Sequence, residues 1–204
     1  MNTVIYQTNL ITPSKIVCVG RNYVAHAKEL GNAVPTEPVI FIKPNSAISQ
    51  HLDAGKGEAN HYEGEISFLI KDGQIAGLGF GLDLTKRGTQ SRLKEARLPW
   101  ERAKSFDGAA VFSEFVSISS DQLDGLRLEL YINGECRQSG GVGHMLFKPQ
   151  AILDEISQFL SLEDGDIIMT GTPEGVGEVC AGAEFIGTVL LGDKVLVEGR
   201  WQAH

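Results

Sequence analysis

His61-Tyr62-Glu63-Gly64-Glu65-Ile66-Ser67-Phe68-Leu69-Ile70 is the stretch on which the reading of this chain turns. Its tail, Ile66 to Ile70, is apolar and rich in β-formers, which predicts a buried strand. Lys71-Asp72-Gly73-Gln74 follows, and Asp-Gly supplies the positive φ angles of a tight hairpin turn. Gly77-Leu78-Gly79-Phe80-Gly81-Leu82-Asp83-Leu84-Thr85 is then the returning strand, its glycines allowing close backbone approach or bending. A strand sends alternate side chains to one face, so Glu63 and Glu65 project together. Carboxylates that close repel each other when ionised, and a hard divalent cation between them removes the conflict. Oxygen donors suit Mg²⁺, Mn²⁺ or Ca²⁺. Spacing alone leaves open a solvated strand end, where glutamate pairs are ordinary.

Working outward, Asp83 ends one strand as Glu63 begins its neighbour, so the hairpin would gather three carboxylates. With several waters these make the octahedral oxygen environment that Mg²⁺ prefers. Upstream, Lys15-Ile16-Val17-Cys18-Val19-Gly20 reads as a short strand. Asn22 reads as the cap of a short helix running through Leu30 to a stop at Gly31. His26 and Glu29 lie at i and i+3 on it, one face, where a carboxylate can orient an imidazole and raise its basicity. A surface His–Glu pair is the commoner outcome of that spacing. A helix starting just after Gly20-Arg21 is also able to move as a lid. Val39-Ile40-Phe41-Ile42 is the next strand, and residues 49–60 read as a polar, Gly-rich, exposed connection.

Downstream, Lys86 to Arg97 has helical composition, closed by Leu98-Pro99-Trp100. Lys104 follows among small and apolar neighbours, in Ala103-Lys104-Ser105-Phe106-Asp107; a solvated lysine is the default for the residue type. From there short strands dominate, with an Asn133-Gly134 hairpin turn. Pro149 to Leu160 is a second helix, with Ile152, Leu153, Ile156, Phe159 and Leu160 at helical spacing. Gly77–Gly81 and Gly171–Gly177 match neither the dinucleotide fingerprint nor a phosphate loop. The second, Gly171-Thr172-Pro173-Glu174-Gly175-Val176-Gly177, suits a rigid loop presenting backbone N–H groups to an anion.

At 204 residues, with 42% hydrophobic and 22% charged positions, the chain reads as one globular domain, 1–204. A formal charge of −8 argues against nucleic acid or an anionic membrane as partner. Cys18, Cys136 and Cys180 are too few and too far apart for a disulfide framework or zinc site, which fits a reducing cytoplasm. No basic region followed by a long apolar one opens the chain, so no signal peptide is expected. No apolar run approaches the ~20 residues of a membrane span. The expected fold class is mainly β with short helices (α+β).

Taken in order, these segments resemble one family. Gly20-Arg21-Asn22-Tyr23 with His26 and Glu29, Pro38–Pro44, His61–Glu65, Leu82–Thr85, Leu98–Trp100, Ala103–Asp107 and Gly171–Gly177 are similar to fumarylacetoacetate hydrolase family motifs. The likeness is to its small acylpyruvase and oxaloacetate decarboxylase-like members. It spans about Lys15 to Val197. It implies a mixed β-roll or barrel-like sandwich, assembled as a homodimer. By resemblance, Glu63, Glu65 and Asp83 hold Mg²⁺ or Mn²⁺, with no organic cofactor. His26 and Glu29 match a water-activating pair on a helix that orders over substrate. Lys104 and Gln90 match groups that contact the substrate or its oxyanion. Arg21, Lys43, Arg87 and Thr172 fall where the family surrounds an anionic substrate.

Two departures stand out. Such proteins usually carry Arg-Asp where this chain has Arg87-Gly88, so a supporting carboxylate is missing. Ser139-Gly140-Gly141-Val142-Gly143-His144-Met145 replaces a segment that typically carries Ser or Thr and an Asp.

The function expected is metal-dependent C–C bond cleavage of small anionic 2-oxo acids: acylpyruvate hydrolysis, oxaloacetate decarboxylation, or both, with a pyruvate enolate common to the two. Isomerisation or hydration of unsaturated 2-oxo-dicarboxylates is the nearer alternative. A non-catalytic module stabilised by Ca²⁺ is the remote one, and it would not require His26, Lys104 and Gln90 to converge on the carboxylates.

Overall fold

A computed structural model describes residues 1–29, 31 and 33–204; Leu30, read as helical, lies outside them. The hairpin read from the sequence is the centre of the fold. Gly64–Lys71 pairs antiparallel with Gln74–Asp83, and the turn between has Asp72 at φ 51° and Gly73 at φ 69°. Every residue from Gly64 to Ile70 is buried, so this strand has no solvent face and reads as an uninterrupted run.

Beside it on one side lies Ile167–Met169, antiparallel, which in turn pairs parallel with Lys15–Gly20. Val39–Pro44 closes that edge of the sheet. On the other side Ala110–Phe112 and Val116–Ser117 pair with Gln74–Asp83, and Ile48–Ser49 ends the row. The sheet is therefore mixed, and it curls into a half-barrel.

A second sheet, ordered Glu135–Gly141, Leu126–Ile132, Glu184–Leu191 and Lys194–Gln202, is wholly antiparallel. The principal core lies between the two, with Ile66, Phe68, Leu78, Phe80 and Leu82 facing Leu128, Leu130, Phe185 and Val189. The glycine run of the returning strand is explained by this packing. Leu78, Phe80 and Leu82 fill the core on one face. On the other, a Cβ at Gly79 would lie 2.8 Å from the Phe115 ring and one at Gly81 2.9 Å from Phe112. The glycines make room for aromatic rings, which is close approach rather than nucleotide binding.

Among the described residues four α-helices decorate the sheets: α1 (Val24–Glu29), α2 (Arg87–Glu95), α3 (Glu101–Lys104) and α4 (Pro149–Ser157). Helix α4 starts with proline at its first position, where a missing N–H costs nothing. It packs Ile152, Leu153 and Ile156 on Val17, Val19, Ile70 and Ile168. The turn α3 was not expected from the sequence, and neither was the small hairpin Val4–Tyr6/Asn9–Ile11. No helix among the described residues is long and apolar enough to cross a membrane. All three cysteines are free thiols.

Candidate active site

Glu63, Glu65 and Asp83 meet at one end of the central hairpin. Each offers a carboxylate oxygen, all within 4.8 Å of one another, and all three residues are buried. Glu63 precedes its strand, and its carbonyl accepts the Asp83 N–H at 2.9 Å, which sets the two carboxylates side by side. Gly64 has no room for a side chain: a Cβ would sit 2.9 Å from Phe80 and 3.0 Å from Gln138 Oε1.

Three cations answer the three carboxylates. Lys104 Nζ bridges Glu63 Oε2 at 2.9 Å and Asp83 Oδ2 at 2.8 Å. Arg87 Nη2 donates to Glu63 Oε1 at 2.5 Å. Lys43 Nζ lies 2.8 Å from Asp83 Oδ1. Burial pushes the Glu63 carboxyl up, but Lys104, Arg87 and His26 outweigh it and hold the group well below the usual range. Glu65 goes the other way: burial, then the charges of Asp83 and Glu63, push it well above, against the N–H of Gly171 at 2.7 Å. Lys104 is disfavoured as a cation by burial and favoured by Asp83 and Glu63, which win, so it is a fixed ammonium.

Two buried polar atoms at this site are left without a hydrogen bond. Asp83 Oδ1 has its ion pair with Lys43, but out of line for a hydrogen bond; it is an acceptor without a donor. Arg87 Nε is a donor without an acceptor. Buried orphans of this kind are costly and rare. An under-served carboxylate oxygen among three hard oxygen donors, one of them pushed toward protonation by its neighbours, fits a divalent cation. An unanswered guanidinium N–H beside it fits an anion.

His26 is 4% exposed on α1, with Nδ1 3.2 Å from Glu29 Oε2. It shares a cavity of about 40 Å³ with Arg21, Glu63, Arg87, Gln90 and Lys104, and Phe41 and Trp100 also line it. That volume is about one water's share of liquid. A much larger cleft, about 820 Å³, lies against a different face of α1 and is lined by Tyr23, Ala25, Glu29, Ser139, Gly140 and His144. The titratable groups converge on the small one. Arg21 at the entry to α1 holds φ 58°, a left-handed conformation uncommon outside glycine. Gln90 accepts from Arg87 Nη1 at 2.8 Å, so helix α2 presents both side chains together.

Not every expected residue stands where the sequence put it. Lys43, expected on the substrate, is wholly buried behind Asp83, with Nζ also donating to the carbonyls of Leu84 and Lys104. Its ammonium is thus held inside the protein, by two carbonyls and the ion pair with Asp83. Thr172 is likewise internal: its hydroxyl donates to the Gly64 carbonyl at 2.9 Å and accepts from Gln138 Nε2 at 2.7 Å. The loop 171–177 does present N–H groups to anions, but these are the protein's own carboxylates. Gly171 serves Glu65, and Gly175 serves Glu29 Oε1 at 3.0 Å. Asn22 does not cap α1 with its side chain; it pins Phe147 and the Thr170 carbonyl instead.

Gln138 was missed. It is 1% exposed, and it accepts from Gly64 N–H at 2.9 Å while donating to Thr172 and to the Pro173 carbonyl. It thereby ties the carboxylate strand to the loop that serves Glu65. Nothing in Glu135-Cys136-Arg137-Gln138-Ser139 marks it, because the stretch has no apolar alternation.

A sequence profile described as "Fumarylacetoacetate (FAA) hydrolase C-terminal" matches residues 15–200. The chain belongs to the fumarylacetoacetate hydrolase family. Among curated relatives, oxaloacetate tautomerase YcgM of Escherichia coli (strain K12) is 39% identical over 193 residues, covering 86% of this chain and 88% of that one. A solved structure from Oleispira antarctica superposes with a TM-score of 0.94 at 40% identity, each chain covered in full. Fumarylpyruvate hydrolase from Pseudomonas aeruginosa, solved with Mn²⁺ and pyruvate, superposes with a TM-score of 0.88 at 28% identity, covering 100% of this chain and 96% of that one. Members of this family with such names are enzymes, so the buried carboxylates here sit in a catalytic fold.

Proposed function

We propose that this chain, as one catalytic domain over residues 1–204, is a divalent-cation-dependent enzyme that moves a proton on small 2-oxo acids, with oxaloacetate as its substrate. The observation that carries this is a histidine with its own carboxylate partner on the same cavity as a fixed ammonium and Glu63, one of three clustered buried carboxylates. Glu63, Glu65 and Asp83 are the cation's ligands, and their oxygen donors suit Mg²⁺ or Mn²⁺. When bound, the cation supplies Lewis-acid polarisation of the 2-oxo group. Three cations already balance the three carboxylates, so a divalent ion leaves a surplus of two positive charges. That surplus matches a dicarboxylate. The name of the Escherichia coli relative supports tautomerisation of oxaloacetate as the reaction.

In this reading His26, its Nδ1–H held by Glu29, uses Nε2 to take a proton from C3 of the keto form and deliver one to the 2-oxo oxygen, giving the enol; the reverse direction takes the enol proton and returns one to C3. General acid–base help of this kind contributes about 10²–10⁴-fold. Lys104 stays charged and neutralises the developing oxyanion. Arg87, through its unanswered Nε–H, Gln90 and Arg21 hold the substrate carboxylates. Lys43 and Thr172 act behind the site, fixing Asp83 and the 64–172 contact.

The Pseudomonas neighbour titled fumarylpyruvate hydrolase supports a second reading, the C–C cleavage expected from the sequence, in which His26 activates a water instead. Both are tested by following enol-oxaloacetate absorbance and pyruvate release in parallel, on chelator-treated protein with and without Mg²⁺ or Mn²⁺. Metal-dependent loss of enol without pyruvate supports tautomerisation; metal-dependent pyruvate from acylpyruvates supports cleavage. Neither activity would overturn both.

A further inference from the structure

Residues 49–60 read as an exposed connection, yet one of them reaches the site-bearing helix. Glu58 Oε1 accepts the N–H of Thr89 at 2.7 Å, and Oε2 accepts the Thr89 hydroxyl at 2.6 Å. The N–H of Gly88 also faces this carboxylate. Helix α2 has no side-chain cap of its own, since Lys86 at its N-cap position makes none. Burial pushes Glu58 up, but these hydrogen bonds outweigh it and hold it below its ordinary value. A carboxylate there also faces the positive end of the helix dipole.

The same spot explains Gly88. A Cβ at that position would lie 3.1 Å from Glu58 Oε1, so a side chain there and this carboxylate compete for one place. The next residue back is Arg87, which holds Glu63 and Gln90. We propose that Glu58 is the positioning residue for α2: it caps the helix from a distant loop, and it sets Arg87 and Gln90 for the substrate. The inference rests on the proposed use of Arg87 and Gln90 toward a dicarboxylate.

Five proteins test it: wild type, Glu58→Ala, Gly88→Asp, the double variant and, as the conservative control, Glu58→Gln. Each is assayed for oxaloacetate turnover, oxalate affinity and thermal unfolding. Glu58→Ala is expected to raise KM and weaken oxalate binding by about tenfold, the low end for loss of an outer-shell partner, with kcat changed less. Gly88→Asp, which sets two carboxylates against each other, is expected to lower the unfolding temperature and raise KM. The double variant should recover toward wild type in both, and Glu58→Gln should lose less than Glu58→Ala. Unchanged KM and oxalate affinity in Glu58→Ala, or a double variant no better than either single change, would overturn the proposal. Wild type that neither turns over oxaloacetate nor binds oxalate would sink the functional reading instead. In that case recovery of unfolding temperature in the double variant still decides whether Glu58 and position 88 compete.

Discussion

The strand Ile167–Met169 has a buried carboxylate at each end, and the two are treated in opposite ways. At its start Asp166, wholly buried, receives both N–H groups of Ser14 and Lys15, the Ser14 hydroxyl, the Lys15 ammonium and the Glu163 N–H. Burial pushes its carboxyl up, but these donors outweigh burial and hold it below the ordinary value. Beyond its far end, Glu65 has Gly171 N–H, with Asp83 and Glu63 beside it, and it is driven up. One carboxylate is completed by its own chain and locks the N-terminal strand to the sheet. The other is left incomplete in a cluster with an orphaned oxygen, Asp83 Oδ1. What separates the two ends is whether the chain itself supplies the donors.

The contrast breaks most visibly at Glu65. Glu65→Gln removes a charge from a mutually repelling group, so unfolding without metal should need more heat than in wild type. Oxaloacetate turnover should meanwhile fall by more than the roughly 10–100-fold that loss of an outer-shell partner costs. Calorimetry and enzyme assay on one preparation read both. Next comes His26→Ala, expected to lower kcat by about 10²–10⁴-fold while leaving metal-induced stabilisation in place. Loss of that stabilisation would mean that His26 serves the fold rather than the reaction. Asp166→Ala should do the reverse of Glu65→Gln. It leaves Lys15 and four other donors unanswered and should lower stability by roughly 3–5 kcal/mol, with specific activity of the folded protein unchanged; urea unfolding measures it.

The smallest effect concerns pH, and its sign differs at the two ends. Asp166, held low, contributes stability that is present above the ordinary carboxylate range and is lost as pH falls through its folded value. Glu65, pushed high, contributes stability that is present in acid and is lost as pH rises through its folded value. In chelator, the stability advantage of Glu65→Gln over wild type should therefore widen as pH rises and close in acid. A gap that is constant with pH would show that Glu65 does not carry the repulsion.

The parts of this arrangement legible in the sequence were local. Asp72-Gly73 announced the hairpin, and period-two alternation put Glu63 and Glu65 on one face, because both signals span only a few residues. The i, i+3 spacing of His26 and Glu29 was equally local. The burial of Lys43 was not legible, because it comes with a contact to the Lys104 carbonyl, 61 residues away in the chain. Gln138 and Thr172, 34 residues apart, are joined only once the two sheets stack, and Glu58 meets Thr89 across 31 residues. Such roles depend on tertiary packing, for which neither propensity nor spacing leaves a mark. Family resemblance located the neighbourhood of Lys43 and Thr172 but not which way their donors face.

The central claim is that Glu63, Glu65 and Asp83 form an incomplete carboxylate set completed by a divalent cation. Calorimetric titration of chelator-treated protein with Mn²⁺ tests it directly, using wild type, Glu65→Gln and Asp166→Asn side by side. One ion should bind per chain in wild type and release protons, since a carboxyl driven toward protonation must give its proton up. Affinity should collapse in Glu65→Gln and persist in Asp166→Asn. Equal affinity in wild type and Glu65→Gln, or no binding to wild type, would contradict the account.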